Sequence, residues 1–435
     1  ELAEEGKGDI PIKAVIGSLP RPNQAFWTLS ALWAGWLWGP EAVEPYKPAL
    51  RRRRYDWAWN ATALNATFTH LLEMVPSQTP FFALLSEPEP SSLTSALTAA
   101  SAAGMDLQSL ALRTEHDPIQ LLWSCGSSQS QQNTVYVGQV RKAIREHLSE
   151  RGEPASYLHV HAAGLIALTQ ANALKQKDQE FDEALRGTHS LIQSALEEDP
   201  HFVHYSSGES VDTGLWGLNK GSDELIRRYD SLSDRVEIAV VNYLQKHPNL
   251  IFRELEQDLY PRFPGLLTPS QGIIYAVLSS YATKEGGTWK LRPEDLASAR
   301  REELKRIASL IETIGTRLGY ATRIRKSNKN YLWEQNSRLE RTFTILASAL
   351  IGRALGEMSY PPGQTVIVIP GGRAALAAYK TQRDPLLASR VKAVQVVKYR
   401  LLRTLVNLPV LTSETFEEQI TGDPLERSKP QMIMF

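Results

Sequence analysis

Cysteine is almost absent: Cys125 is the only one, so no internal disulfide can form and burial and hydrogen bonding must hold the fold. Long apolar runs are missing too. The best candidate, the tryptophan-rich stretch from Ala25 to Trp38, falls short of the roughly 20 residues that a spanning helix needs, which predicts no membrane partner. Nothing at the N-terminus has the basic, then apolar, then small-residue order of an export signal, and with the single thiol this predicts a cytoplasmic location. The first residue is Glu1 and not Met, as expected of a fragment or trimmed chain. No internal repeat is visible. Metal-ligand spacing is lacking as well: His159 and His161 would share a face on a strand but diverge on the helix expected there, so no metal site is predicted.

What is present is the composition of an ordinary globular protein. At 435 residues, 42% hydrophobic and 22% charged, the chain has room for two to four domains. Its zero net charge hides an asymmetry. Between Leu296 and Val410 there are 20 Lys and Arg against 7 Asp and Glu, a local excess of 13 that the remainder offsets. Such a basic third predicts a polyanionic partner, duplex DNA above all.

The hydrophobic rhythm divides the chain into four. Residues 1–125 alternate strand and helix: a strand at Lys13–Leu19, helices at Gln24–Trp38 and Trp59–Met74, a strand at Pro80–Ser86, an Ala-rich helix at Ser91–Ala103 and a closing hairpin, Leu107–Arg113 with Ile119–Ser124. This is the order of the second half of a doubly wound α/β sheet. A Ser- and Gln-rich linker then opens a helical region, 126–232. In 233–295, Asp234 is placed to cap a first helix and Thr268 a third, with Pro269 at its first position; Thr283–Leu291 makes a hairpin, and the unit reads as a winged helix-turn-helix. Finally, 296–435 forms a basic α/β domain with a long helix at Glu302–Leu318, an apolar stretch at Thr342–Leu355 and a buried strand at Thr365–Pro370.

Where the first strand meets its turn the sequence reads Ala14-Val-Ile-Gly-Ser-Leu-Pro-Arg-Pro-Asn-Gln-Ala-Phe-Trp. This resembles the catalytic loop, [DNS]-P-P-[YFW], of the DNA methyltransferases that act on the exocyclic amines of adenine or cytosine. The resemblance covers residues 1 to about 125, the C-terminal half of such a domain. In that family the polar side chain and a backbone carbonyl hold the amino group of a flipped base, and the ring stacks on it. Ser18 and Pro20 fit the pattern and are the candidate catalytic residues; Leu19 and Arg21 depart from it, and loss of the ring removes roughly 1–3 kcal/mol of stacking. The family's F-x-G-x-G turn for S-adenosylmethionine is missing upstream of Ser18. The resemblance therefore implies no cofactor in this chain, with S-adenosylmethionine bound only if an upstream domain or a partner subunit completes the fold.

Candidate DNA contacts are the run Arg51, Arg52, Arg53 and Arg54 beside Tyr55, Trp57 and Trp59, then Ser270 and Gln271 at the start of the third winged-unit helix, and Lys284 and Lys290 in its wing. Lys398, Arg400 and Arg403 add a basic strand-helix corner. The last domain resembles a restriction-endonuclease core, but no Glu-x-Lys follows Glu334, so an inactive, DNA-binding version is expected. The turn in Val366–Ala374 (VIVIPGGRA) could hold an anion at a helix N-terminus. These readings predict a DNA-binding scaffold of a modification or phage-defence system. The alternatives are an active methyltransferase fragment and a structural adaptor whose winged helix contacts protein.

Overall fold

A computed structural model of the chain describes residues 12–20, 24–47, 56–126, 137–176, 178–205, 208, 210–219, 230–325, 330–423 and 425. No helix among them is long and apolar enough to cross a membrane. The chain is mixed α/β and forms two compact units. The first takes Glu1–Glu150, Ala155–Asp223 and Phe263–Thr268; the second takes Arg151–Pro154, Glu224–Arg262 and Pro269–Phe435.

The first unit is built on a four-stranded sheet. β1 (Val15–Leu19) pairs in parallel with β2 (Pro80–Leu85), and the hairpin of β3 (Asp106–Ala111) and β4 (Ile119–Ser124) extends it antiparallel in the order β1-β2-β4-β3. Strand alternation decides which face is buried. Phe81, Ala83 and Leu85 of β2 and Ile119, Leu121 and Trp123 of β4 point into the core, where Phe81 and Trp123 stack at 5.6 Å. Between β1 and β2 run α1 (Gln24–Trp38) and α2 (Trp57–Met74); α3 (Pro90–Ala103) joins β2 to β3. Every residue of α3 from Ser92 to Ala100 is buried, because Ala, Ser and Thr let neighbouring helices approach closely, and Gly104 ends it in the left-handed conformation at φ 92°. α4 (Val137–Arg151), α5 (Tyr157–Gln170) and α6 (Phe181–Glu197) add their apolar faces to the same core, and short strands β5 (Ala155–Ser156), β6 (Phe202–Tyr205) and β7 (Leu215–Leu218) make a small second sheet.

α1 is built the other way round. Its small residues Ala31 and Ala34 are buried, while Leu29, Leu32, Trp33, Trp36 and Leu37 face solvent.

The second unit opens with α7 (Leu232–Lys246), α8 (Phe252–Leu259), α9 (Gln271–Tyr281) and the hairpin β8 (Ala282–Glu285) and β9 (Thr288–Leu291). Two caps differ from expectation. Ser231, not Asp234, caps α7, and Ser270, not Thr268, caps α9, which leaves Pro269 outside the helix. Each serine accepts a bond from the amide three residues on, the geometry that satisfies an orphan donor. Asp234 sits inside the helix and is buried.

α10 (Ala297–Arg317) leads into a five-stranded sheet in sequence order: β10 (Ala321–Arg325), β11 (Asn330–Gln335), β12 (Arg338–Ile345), β13 (Thr365–Ile369) and β14 (Gln395–Lys398). The first three are antiparallel and the last two join in parallel. The apolar stretch Thr342–Leu355 takes in the end of β12 and most of the short helix α11 (Ile351–Gly356). Helices α12 (Ala374–Arg383), α13 (Pro385–Val391), α14 (Tyr399–Val406) and α15 (Ser413–Thr421) complete the layer. β13 (TVIVI) is buried at all five positions, as a central parallel strand should be.

Candidate functional site

At the carboxyl end of β1, Ser18 is exposed and already bonded: its hydroxyl donates to the Leu84 carbonyl at 3.4 Å and lies 3.3 Å from the Ser86 hydroxyl. Pro20 is fixed through its carbonyl, which accepts from the Asn60 amide at 3.3 Å. Asn60 is buried on α2 and accepts in turn from the Ser95 hydroxyl of α3 at 2.9 Å. The Ser18–Pro20 turn is thus held by Leu84 and Ser86 on one side and by Asn60 of α2 on the other, with Ser95 of α3 bracing Asn60. Arg21 and Arg51–Arg54 lie outside the described residues. Asp56, which follows the arginine run, caps α2 by accepting from the Trp59 amide at 2.9 Å.

A cleft of about 460 Å³ opens where α2 and α3 begin, lined by Asp56, Trp57 and Thr94 and, from α6, by Asp182, Arg186 and His189. It lies beyond the carboxyl ends of the parallel strands, where open α/β sheets commonly bind ligands. Below it, His161 of α5 is fully buried and bonds Thr94 at 2.9 Å. Because the Thr94 hydroxyl donates to the Pro90 carbonyl at 2.7 Å, it must accept from His161 Nε2, which leaves His161 Nδ1 as an acceptor without a partner among the described residues. Burial, and next to it His189 at 5.5 Å between ring centres, pushes the His161 pKa down to about 3, so the ring is neutral. His159 bonds Ser156 at 2.9 Å, and no group of three or more His, Cys, Asp or Glu among the described residues could hold a metal ion. Sequence reading missed this cleft because α2, α3 and α6 bring its lining from three distant segments, none with a motif of its own.

In the second unit, the four candidate DNA contacts of the winged unit each have a partner within the chain. Ser270 caps α9 and Gln271 donates to Glu256 at 2.7 Å. Lys284 lies over the Trp289 ring at 5.8 Å and Lys290 pairs with Glu285 at 2.9 Å. α9 exposes Gln271, Tyr275 and Ser279, and Tyr275 stacks on Phe252 at 4.3 Å. The far end of α9 packs on the Gly371–Arg373 turn: Ser280 donates to the Gly372 carbonyl at 2.8 Å, and the Arg373 guanidinium lies 3.4 Å from the centre of the Tyr281 ring. Gly371 and Gly372, the turn that could hold an anion, are exposed, while Arg373, which follows them, is buried.

The expected basic corner is paired with acids. Lys398 is buried and bonds Asp423 at 3.1 Å, Arg400 reaches the same carboxylate at 3.3 Å, and Arg403 bonds Glu303 at 2.6 Å. Glu334 pairs with Arg323 at 3.3 Å. The densest polar cluster in this unit was not anticipated at all. Lys380 of α12 is buried with Asp234 at 2.6 Å and Glu237, both from α7; Glu237 also accepts from the Tyr281 hydroxyl and, at 2.8 Å, from the Ala349 amide. Burial alone would lower the Lys380 ammonium, but Glu237 and Asp234 outweigh it and hold the pKa above its ordinary value. Burial, with Glu237 adding to it, lifts the Asp234 carboxyl despite the lysine. Beside this cluster, buried Arg373 pairs with Asp295, which Arg300 also holds. These groups join α7 and α9 to the five-stranded sheet's helices.

Compared with protein-family models, with curated proteins and with solved structures, the chain matches none.

Proposed function

We propose that this chain is a DNA-binding scaffold related to the amino-group DNA methyltransferases, contributing recognition in a modification or defence system and catalytically incomplete by itself. The observation that carries the reading is the first sheet. A parallel pair extended by an antiparallel hairpin is the second-half arrangement that the resemblance implies, and Ser18 and Pro20 lie at the carboxyl end of β1 beside Asn60, where the target-base loop belongs. The sheet has four strands and β1 is an outer one, so the family's glycine turn for S-adenosylmethionine has no strand to follow among the described residues.

DNA contact falls to α7–α9 with their hairpin wing and to those cations of the last segment that have no carboxylate partner among the described residues. Arg301 and Arg306 on α10, Arg325 on β10 and Arg338 at the β11–β12 turn are exposed and belong to this group. Backbone recognition without base reading fits a third helix with no Lys or Arg. Fluorescence anisotropy against duplex DNA at two salt concentrations tests the reading, since phosphate contacts must weaken log-linearly with salt. Salt-independent or absent binding overturns it and leaves the adaptor role.

The open position of β1 favours one second reading, an enzyme completed by a cofactor-binding half from elsewhere. Methyl transfer from S-adenosylmethionine to duplex DNA, assayed with the upstream or partner half supplied, separates the two: turnover that requires this chain supports the enzyme, and none supports the scaffold, while clear micromolar cofactor binding by this chain alone in calorimetry would overturn both.

A further inference from the structure

The apolar residues of α1 recur as Leu29, Leu32, Trp33, Trp36 and Leu37, the i, i+3, i+4, i+7, i+8 stripe by which a helix normally buries itself. Here that stripe is the outward one. Trp33 is 53% exposed, Trp36 85% and Trp38 73%, and Leu29, Leu32 and Leu37 are each more than half exposed, while the opposite, small-residue face is turned inward. With each tryptophan carrying 150–250 Å² of surface, these six side chains present on the order of 700 Å² of apolar area. That is beyond the largest patch an ordinary monomer leaves to water and close to the roughly 800 Å² per partner of a standard stable interface.

We propose that this face is where two copies of the chain meet, α1 against α1 across a two-fold axis. Charge is what points to a second copy as the occupant. From Gln24 to Trp38 the helix carries no charged residue, so a copy meets its own image without like-charge repulsion, whereas surfaces built for a different partner use complementary charge to select it. Trp33 and Trp36 also pack edge-to-face at 5.9 Å, so part of the surface is ordered before association. The inference is independent of the DNA reading: it needs neither nucleic acid nor cofactor.

Sedimentation equilibrium of the full chain between about 1 and 100 µM, the range in which a modest interface saturates, should give a mass twice 48.6 kDa at the upper end. Trp33→Ala/Trp36→Ala should return the monomer with an unchanged melting curve, as both rings are outside the core. Leu29→Lys, which places a charge opposite its own image, should do the same should the double variant fold poorly. Acrylamide should quench less of the tryptophan emission as the wild-type concentration rises. A monomer throughout the range, a dimer that survives both variants, or quenching that ignores concentration would each overturn the proposal.

Discussion

Removing the Lys380 ammonium should cost the second unit more than any other single change to its polar groups. In Lys380→Met the aliphatic stem is nearly preserved, so packing changes little. What disappears is the only cation among the described residues that pairs with Asp234 and Glu237, whose side chains are 3% and 1% exposed, and the Ala349 carbonyl loses a donor at 3.3 Å. Breaking a buried ion pair from one side typically costs about 3–5 kcal/mol, because the abandoned charge stays in a poorly polarisable site. Two carboxylates left together place this case at the upper end, softened by whatever proton one of them takes up. For a domain of this size each kcal/mol moves the midpoint by about 2–4 °C, so the unit-two transition should fall by roughly 10–20 °C. Differential scanning calorimetry reads it directly. The triple change Lys380→Met, Asp234→Asn, Glu237→Gln should recover most of the loss, since neutral groups in the same shape need no counter-ion. A single-variant loss under about 1 kcal/mol, or a triple variant no better than the single one, would refute the reasoning. The pH dependence has a fixed sign. Lys380 holds its proton more tightly folded than unfolded, so its contribution is complete below about pH 10.4 and is lost as pH rises through the higher folded value.

Asp384 accepts from the Leu387 amide at 3.0 Å as the cap of α13, yet burial lifts its carboxyl to about 6. A raised carboxyl means that the folded chain binds the proton better, so stability should fall as pH climbs from about 4 to 6. Asp384→Asn, which keeps the cap, should gain about 1–3 kcal/mol at pH 7 in urea unfolding and flatten that window; a destabilised variant would contradict this. His161 has the opposite sign. Folded, it refuses a proton until about pH 3, so stability should drop as pH falls below about 6.5, by at most about 1.4 kcal/mol per pH unit. The slope should vanish in His161→Gln, and an unchanged slope would show that some other group titrates.

Most elements could be read from the sequence because their signals are local. β13 is a run of β-branched residues bounded by Pro361, Pro362 and Pro370, and α3 is an Ala-rich helix closed by Gly104. Caps were harder, since Ser231 and Asp234 are both good capping residues three apart and the choice between them depends on what Asp234 meets elsewhere. It meets Lys380, 146 residues on. The orientation of α1 could not be read at all. Its stripe of large apolar residues identifies the face that wants covering but says nothing of whether this chain covers it. The Ser18–Pro20 loop was found by pattern, whereas Asn60, which clamps it, reads as an ordinary polar residue until α2 is folded against β1.

The basic third shows what a charge count along the chain leaves out. Its excess of 13 was summed between Leu296 and Val410, but the cations there choose partners in space. Asp234, Glu237 and Asp295 reach in from before the segment to hold Lys380, Arg373 and Arg300, and Glu417 and Asp423 reach back to hold Arg341, Lys398 and Arg400. Those five acids cut the excess from 13 to 8, and buried Arg373, Lys380 and Lys398 cannot meet a phosphate in any case. Much of the asymmetry therefore stabilises the fold. A duplex bound by the exposed remainder should release few counterions: with three or four phosphate contacts, the plot of log K against log salt should slope about −3 to −4, at 0.9 per contact. Arg301→Ala or Arg338→Ala should each reduce that slope by about 1 and weaken all sequences alike. A slope near −10, or one that neither substitution moves, would mean that the cations named here are not the ones DNA touches.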